Sequence, residues 1–383
     1  MVSRAQRTPF AEWWWTVDKL TLAAVGALML AGVVLSLAAS PPVAGRLGLD
    51  PFFFVNRHLV YLAVSIAVML GVSFLTPRQI RRLAIVVFAV SLVLVAVTPI
   101  FGPEIKGARR WLIIFGMNIQ ASEFLKPAFV VLVAWLFAES AKRPDMPANF
   151  FSLTMLLTVV ALLVIEPDFG QTMLVALVWS ALFFMAGMRL IWMFGIAGVG
   201  GFGLTIAYFT VPHVAARIQR FLNPASGDTY NIDIAKESFL RGGWFGRGPG
   251  EGTVKRMLPE SHTDFVFSVA AEEFGVALCL VLVALYAFIV LRALTRALRS
   301  QDMFARFAGA GLAILFGVQA IINMSVNLRL IPAKGMTLPF ISYGGSSMIS
   351  LAYAVGMLLA LTREQPRTSI VTAPELAPAE SAA

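Results

Sequence analysis

Apolar residues gather along the chain into ten runs, each separated from the next by polar residues, prolines or glycines. A membrane-spanning helix needs about 20 apolar residues, with a lower bound near 17. The runs cover residues 20–39, 58–75, 83–101, 124–138, 150–165, 169–187, 190–210, 265–290, 304–324 and 341–361. The pattern predicts an all-α integral membrane protein of about ten transmembrane helices. The short runs beside Pro167 could instead be bent or re-entrant segments.

The ends of the chain are more polar than this body, which we interpret as one polytopic membrane domain over residues 20–363. Residues 1–19 are predicted to be a cytoplasmic N-terminal segment, and residues 364–383 a disordered cytoplasmic tail. The first apolar run exceeds the roughly 7 to 15 apolar residues of a cleavable signal peptide, so an uncleaved first helix is expected. Trp13, Trp14 and Trp15 predict an anchor at the membrane interface.

Basic residues predict the orientation, because short cytoplasmic loops carry an excess of Lys and Arg. Every second connection between predicted helices is basic, and we assign these connections and both termini to the cytoplasm. Their basic residues are Arg78, Arg81, Arg82, Lys142, Arg143, Arg189, Arg292, Arg296, Arg299 and Arg306. The long loop at about residues 211–264, between the seventh and eighth helices, then lies outside. With 58% hydrophobic and 13% charged residues a soluble protein is excluded, and the net charge of +9 does not indicate nucleic-acid binding. The lone Cys279 excludes an intrachain disulfide.

Charged residues near the predicted helices are candidate site residues, because an ionisable group at mid-membrane costs roughly 2.5 to 3.5 kcal/mol. Four groups of them fall on the predicted outer side. In the first group, Lys106, Arg109 and Arg110 precede a helix that begins with Glu123 and Lys126 on one face. Arginine forks and backbone amides bind phosphate oxygens, although the same stretch could simply anchor the loop at the interface.

The second group is acidic and flanks Pro167, with Glu166 before it and Asp168 after it. Asp168 could cap the next helix or hold an arginine of the first group in place. Both alternatives stay open at the level of the sequence.

The third group closes the long loop with Asp264 and continues into the eighth helix with Glu272 and Glu273. Ser261 and Asp264 have the spacing of a capping box, so Asp264 could be a cap residue rather than a site residue. Glu272 and Glu273 lie in an apolar run, where buried carboxylates need a partner.

The fourth group follows Asn323 and Asn327 and contains Lys334 and Ser342 among several prolines and glycines. Backbone of that kind is not a plain helix, and at membrane depth it is tolerated only where protein buries it or where it lines a wet cavity. The segment is therefore predicted to be a cavity wall, the alternative being an interfacial connection between two helices.

Six motifs now stand out: KGARRWL, QASEFLKP, EPDFG, GRGPGEG, LPESHTDF with AAEEFG, and PAKGMTLPFISYGGSS. Over residues 20–363 the chain resembles the SEDS (shape, elongation, division, sporulation) family, and its GRGPGEGTVKR and PAKGMTLPFISYGG stretches resemble the FtsW-like division branch. The resemblance implies a peptidoglycan glycosyltransferase of the bacterial inner membrane that polymerises lipid II, an undecaprenyl-linked disaccharide pentapeptide, at the division septum. It also implies a class B penicillin-binding protein (an FtsI-like transpeptidase) and other divisome proteins as partners.

The family's essential acidic residue falls on Asp264 by motif position. Its other polar residues fall on Arg109, Glu123, Lys126, Asp168 and Lys334. Ala121 stands where a proline is common in the family, so the loop at this position need not have the geometry that is usual in the family.

The residues themselves suit such a reaction. A sugar 4-hydroxyl that displaces a lipid pyrophosphate from an α-linked donor gives a β-linked product, and this inversion needs one general base, here Asp264. Cations take up the charge of the leaving group, and the candidates are Lys106, Arg109, Arg110, Lys126 and Lys334. The predicted supporting polar residues are Glu123, Asp168, Glu272, Glu273, His262 and Ser342. No metal ligands are predicted, although Mg²⁺ could assist the binding of pyrophosphate.

A lipid II flippase is the rival hypothesis, because many helices, a broken-helix cavity and intramembrane charges are also typical of transporters. A carrier needs its charges near the bilayer midplane, whereas these groups gather at the outer loops, so the polymerase is favoured. A non-catalytic scaffold would leave Asp264 and the basic groups unexplained.

Overall fold

The computed structural model of the protein describes residues 8–105, 108–114, 116–143, 145–210, 212–223, 230–332 and 335–364. The helices in these ranges are α1 (Pro9–Thr16), α2 (Lys19–Arg46), α3 (Phe53–Ser73), α4 (Pro77–Phe101), α5 (Ala121–Ser140), α6 (Ala148–Ile165), α7 (Phe169–Met185), α8 (Leu190–Thr210), α9 (Pro212–Leu222), α10 (Tyr230–Gly242), α11 (Val266–Leu298), α12 (Met303–Asn327) and α13 (Gly345–Leu361). The ten predicted apolar runs correspond one to one, in chain order, to the helices α2 to α8 and α11 to α13. The predicted tail lies outside the described residues from 365 onward.

Seven helices within the described ranges are long and apolar enough to cross a membrane, namely α2, α3, α4, α5, α6, α11 and α12. The helices α7, α8 and α13 are apolar but shorter, α8 over Phe194–Thr210. The protein is therefore an integral membrane protein of nearly all-helical structure, and the count of ten spans stays a prediction.

Residues with side-chain oxygens begin several helices. Asp18 Oδ1 accepts a hydrogen bond from Leu20 N at 3.2 Å at the start of α2, and Asp302 does the same for α12. Thr76 and Gln79 form a capping box at the start of α4, with Pro77 at its first position. Such caps satisfy backbone amides that have no partner within the helix, which allows short connections.

Among the seven long apolar helices, α5 and α12 are the most deeply buried. In each, 83% of the most apolar stretch is buried inside the protein, compared with 22% to 28% for α3, α4, α6 and α11. Polar side chains on α5 and α12 are therefore enclosed by other helices and must find partners inside the protein.

The N-terminal and C-terminal parts of the described chain meet at one end of the bundle. Glu364 N donates to Thr16 O at 3.0 Å, and Arg363 donates to Leu75 O at 3.2 Å. Asp18 accepts hydrogen bonds from Arg292 at 2.7 and 2.9 Å. The first and last described segments of the chain therefore lie at the same end of the helix bundle.

The three consecutive tryptophans do not share one role. Trp13 is only 3% exposed, donates from Nε1 to Ser73 Oγ at 2.8 Å and stacks on Phe74, so the prediction of an interfacial anchor is wrong for this residue. Trp14 and Trp15 are exposed, with Lys19 Nζ 5.0 and 4.8 Å from their ring centroids. The reason is that α1 packs one of its faces against the end of α3.

The all-α prediction omitted one hairpin. Strands β1 (Leu112–Ile114) and β2 (Met117–Ile119) pair antiparallel, with Leu112 opposite Ile119, between α4 and α5. The predicted long loop at residues 211–264 also contains α9, α10 and a 3₁₀ turn at Val254–Arg256. Of these elements, α10 packs against α11, and the 3₁₀ turn contacts α2, α10 and α11.

A break in α11 anchors that long loop. Gly275 has φ 80°, and the backbone groups freed around it pair with the loop that follows α10. Arg247 N and Gly248 N donate to Glu272 O and Glu273 O at 3.0 Å, while Val276 N and Ala277 N donate to the loop at 2.9 and 3.1 Å. A side chain at Gly246 would overlap the carbonyl of Glu273, so only glycine allows this approach.

Candidate functional site

A cavity of about 650 Å³ lies where the segments before α5, α7, α11 and α13 converge. Its wall includes four predicted site residues, Arg110, Glu123, Asp168 and Asp264. Further wall residues come from α9 and α10, from the segments before α11 and before α13, and from the first turn of α13, namely Phe221, Asn231, Ile232, Glu260, Gly335, Met336, Thr337, Tyr343, Ser346 and Ser347. The cavity thus unites charged groups that are far apart in the sequence.

Asp264 is half-buried in the cavity wall, just before α11 begins. The N-cap of α11 is Phe265 and no side chain caps the helix, so the alternative of a capping box formed by Ser261 and Asp264 does not apply. A Cβ atom at Gly335 would lie 3.0 Å from Asp264 Oδ2, which places this carboxylate against the segment that follows α12. The side chain is therefore presented to the cavity rather than used for helix capping.

Arg110, from the segment before β1, and Asp168, from the turn between α6 and α7, both line the cavity. Arg110 Nε donates to Glu166 O at 3.1 Å and its Nη2 donates to Pro167 O at 2.6 Å. Asp168 caps α7 by accepting from Gln171 N at 3.3 Å, one of the two roles that the sequence left open for it, and it also accepts from Gln120 Nε2 at 3.1 Å. Arg110 is thus held by the main chain of this turn, with Asp168 beside it.

Burial also affects the acidic groups of this turn. It raises the pKa of Glu166 to about 8, and the negative charge of Asp168 adds to the effect. Burial likewise raises the pKa of Asp168, against the opposing influence of Arg110. The turn therefore carries less negative charge at neutral pH than its sequence implies.

The neighbouring Arg109 has a different environment. Its side chain is exposed and lies 4.0 Å from Glu104 Oε2, with weak contacts of 3.4 Å to two carbonyls at the end of α4. It is not part of the cavity wall. The structure therefore separates two adjacent arginines that the sequence groups together.

Lys126 lies beneath the cavity floor in a buried polar network. Its Nζ donates to Glu123 Oε2 at 2.9 Å, Gln171 Oε1 at 2.7 Å and Gln319 Oε1 at 3.3 Å. Gln171 Nε2 also donates to Glu123 Oε1 at 2.6 Å, and Gln319 Nε2 donates to Thr337 O at 3.2 Å. The predicted pair of Glu123 and Lys126 is thus formed, and its charges join α5 to α7, α12 and the segment before α13.

Glu272 and Glu273 have partners outside the cavity. Glu272 accepts from Val254 N at 2.7 Å and from Lys255 N at 2.8 Å. Lys255 is 4% exposed, forms an ion pair with Glu273 and donates to Ala38 O at 2.9 Å. The two carboxylates therefore hold the loop that contains Lys255 onto α11, and Lys255 joins this loop to α2.

The other two predicted supporting residues stabilise the segment beside Asp264. The His262 ring lies 4.6 Å from Phe54 and 5.5 Å from Tyr343 between ring centroids, and His262 O accepts from Tyr343 N at 2.8 Å. Ser342 Oγ accepts from Leu338 N at 2.8 Å. Lys106 and Lys334 lie outside the described residues, so their predicted roles stay predictions.

A family model described as "Cell cycle protein" (FTSW_RODA_SPOVE) matches residues 18–367, which include every element around the cavity. The chain belongs to the FtsW/RodA/SpoVE family. A probable peptidoglycan glycosyltransferase FtsW of Caulobacter vibrioides is 46% identical over 95% of this chain and 94% of its own length. One of Trichlorobacter lovleyi is 36% identical over 89% of this chain and 92% of its own length.

Solved structures of the FtsW/RodA/SpoVE family have the same fold. A chain of a peptidoglycan synthase complex, described as coordinating polymerization and crosslinking, is 27% identical, with a TM-score of 0.76 over 91% of this chain and 98% of that chain. Thermus thermophilus rod shape determining protein RodA is 26% identical, with a TM-score of 0.67 over 92% of this chain and 99% of that chain.

Several residues of this family member escaped the sequence prediction. Gln120, Gln171 and Gln319 connect the charged groups, and Lys255 is the partner of the acidic pair on α11. The available signal was polar residues inside apolar runs, which applies to Gln171 and Gln319. Lys255 gave no such signal, because a lysine in a long polar loop is expected to be exposed to solvent.

Metal binding depends on which ligand side chains the described residues bring together. In the part of the chain that the structure describes, no group of three or more His, Cys, Asp or Glu residues could hold a metal ion. Assistance by Mg²⁺ stays an expectation from the chemistry of pyrophosphate.

Proposed function

We propose that this cavity is where an FtsW-type peptidoglycan glycosyltransferase of the division septum extends glycan strands from lipid II. The relatives that match nearly the whole chain are named for that activity, and the chain is a peptidoglycan glycosyltransferase of this type. The position of Asp264 is the observation that supports this location. Its half-buried carboxylate does not cap a helix, and it lines the same cavity as Arg110.

Asp264 is the proposed general base. It accepts the proton of the sugar 4-hydroxyl while that oxygen attacks the anomeric carbon of the donor, and the bond to the lipid pyrophosphate breaks on the opposite side. One base suffices because the transfer inverts the anomeric configuration. The lipid pyrophosphate leaves as an anion without a protonating acid.

Arg110 is the best-placed described cation for that leaving group. Two of its donor groups bind main-chain carbonyls, which fixes the guanidinium at the cavity wall, and a preorganised charge there stabilises developing negative charge. Lys126 acts indirectly in this proposal, since its ammonium is bound to three oxygen atoms below the floor. Lys106 and Lys334 remain predicted contributors.

The flippase alternative is not favoured. The charged wall residues belong to loops and helix ends, whereas an alternating-access carrier places them between helices near the midplane. The names of the relatives also describe a transferase.

The proposed setting is the bacterial inner membrane with both termini cytoplasmic and the cavity outside. A class B penicillin-binding protein is the proposed crosslinking partner, and other divisome proteins would recruit the pair to the septum. The resemblance to a chain of a peptidoglycan synthase complex supports such a partner.

Reconstitution tests the function directly. The purified chain, together with its class B synthase carrying an inactivated transpeptidase, is supplied with labelled lipid II, and the products are separated on a gel. Glycan polymer that depends on this chain supports the proposal. Absence of polymer, combined with movement of lipid II across liposomes, would instead establish the flippase.

The two adjacent arginines provide a matched comparison in the same assay. We expect Arg110→Met to lower the polymerisation rate on the order of 10²-fold, the usual effect of removing one preorganised charge-stabilising donor. Arg109→Met should stay near the wild-type rate, because its guanidinium is exposed and outside the cavity wall. Equal losses in both variants would mean that the arginines act through loop stability or a general basic field.

A further inference from the structure

Asp264 carries the main-chain carbonyl that precedes α11, and two buried asparagines of α12 hold it. Asn323 Nδ2 and Asn327 Nδ2 each donate to Asp264 O at 2.9 Å. The asparagine side chains are 1% and 0% exposed. A carbonyl oxygen has two lone pairs, so the two amides saturate this acceptor.

The side-chain amide of Asn327 lies between Asp264 O and Ser268 N, which would bond directly to each other in a continued helix. In a continued α-helix Asp264 O would accept from Ser268 N. Here Asn327 Nδ2 donates to Asp264 O, while Asn327 Oδ1 accepts from Ser268 N at 3.2 Å and from Ser268 Oγ at 2.7 Å. Ser268 N has a second acceptor in Phe265 O at 3.0 Å. The inserted amide group therefore prevents α11 from extending back over Asp264.

Asn323 links the same carbonyl to the opposite wall of the cavity. Its Nδ2 also donates to Met336 O at 2.6 Å, next to Gly335, whose Cα faces the Asp264 carboxylate. Asn327 Nδ2 further donates to Asn323 O at 2.9 Å, which couples the two asparagines. One hydrogen-bonded junction thus sets Asp264 relative to both α12 and the segment before α13.

We propose that Asn323 and Asn327 are positioning residues that hold the Asp264 peptide outside α11 and so aim its carboxylate into the cavity. The inference rests on the proposed role of Asp264 as the base. A base must lie within about 3 Å of the proton that it accepts, and a displacement of about 1 Å can lower a rate on the order of 10²-fold. Neither asparagine touches the substrate in this proposal.

The test compares Asn323→Leu, Asn327→Leu and the double variant with Ser325→Ala, a control on the same turn of α12. Polymerisation kinetics are measured in the reconstituted complex, and hydrogen–deuterium exchange is measured on residues 260–268. We expect kcat to fall about 10- to 100-fold in each asparagine variant with KM for lipid II within about twofold of wild type. Exchange at residues 260–268 should rise in these variants alone.

Retention of wild-type kcat and wild-type exchange in the double variant would overturn the proposal. A loss confined to KM, or an equal rise in exchange throughout α11 and α12, would assign the asparagines a general structural role and would also overturn it. Asn327→Asp, which keeps the acceptor for Ser268 and lacks the amide donors, replaces the leucine variants if they do not fold. Absence of polymer from wild type would refute the proposed function, while the exchange result would still decide whether the asparagines hold Asp264.

Discussion

Asp264→Asn is expected to lower glycan polymerisation by about 10²- to 10⁴-fold, the usual contribution of a general base. Asparagine keeps the size of the side chain and can still accept a hydrogen bond, but it does not accept the proton of an attacking hydroxyl. The side chain does not cap α11, and its peptide is held by α12, so the fold should not depend on the charge. The measurement is the rate of polymer formation from labelled lipid II by the complex with the class B synthase.

Asp50→Asn is the matched control for that substitution. Asp50 is exposed between α2 and α3, is not part of the cavity wall, and accepts a hydrogen bond from Phe52 N through Oδ1 at 2.8 Å, a bond that asparagine can also accept. The control should polymerise at the wild-type rate. Polymer from Asp264→Asn at a rate close to that of the control would remove Asp264 from the role of base.

Lys255→Met is expected to reduce the stability of the membrane domain by about 3 to 5 kcal/mol. Lys255 and Glu273 form an ion pair with side chains only 4% and 0% exposed, and removal of the lysine leaves a buried carboxylate without its counterion. The loop that carries Lys255 also loses the bond to Ala38 O, which joins it to α2. Thermal unfolding of the purified protein in detergent measures the effect.

The chain offers an exposed ion pair for comparison. Arg241 and Glu237 pair on α10 with side chains 41% and 39% exposed, and such surface pairs contribute about 0 to 1 kcal/mol. Arg241→Met should therefore shift the unfolding temperature little. The double variant Lys255→Met with Glu273→Leu should recover most of the stability, because an apolar pair leaves no buried charge. A small effect of Lys255→Met, equal to that of Arg241→Met, would show that the buried pair does not hold the loop.

Several elements were predictable because their signals are local. Ten apolar runs are helices in the structure, since a chain in lipid must satisfy its backbone hydrogen bonds within each segment. The ion pair of Glu123 and Lys126 follows from a spacing of three residues on one helix. Asp168 caps α7 through Gln171 N, one of the two roles that its position before an apolar helix allows.

Other signals were local but misleading. The spacing of Ser261 and Asp264 matches a capping box, yet α11 begins at Val266 without one. Asn327 is remote in sequence, and it takes the backbone groups that a cap or a further helical turn would have used. A competing partner from another helix decided the outcome.

The amino-acid pattern alone specifies a helical membrane protein whose polar groups concentrate at helix ends near Arg110, Asp168 and Asp264. Helix packing selects which of several similar residues line the cavity: Arg110 and not Arg109, and Asp264 rather than the buried Glu272 and Glu273. Hydropathy and spacing specify only the face of its own helix on which a residue lies. Whether that face meets lipid, a buried partner such as Lys255 or an open cavity depends on the packing of helices distant in sequence.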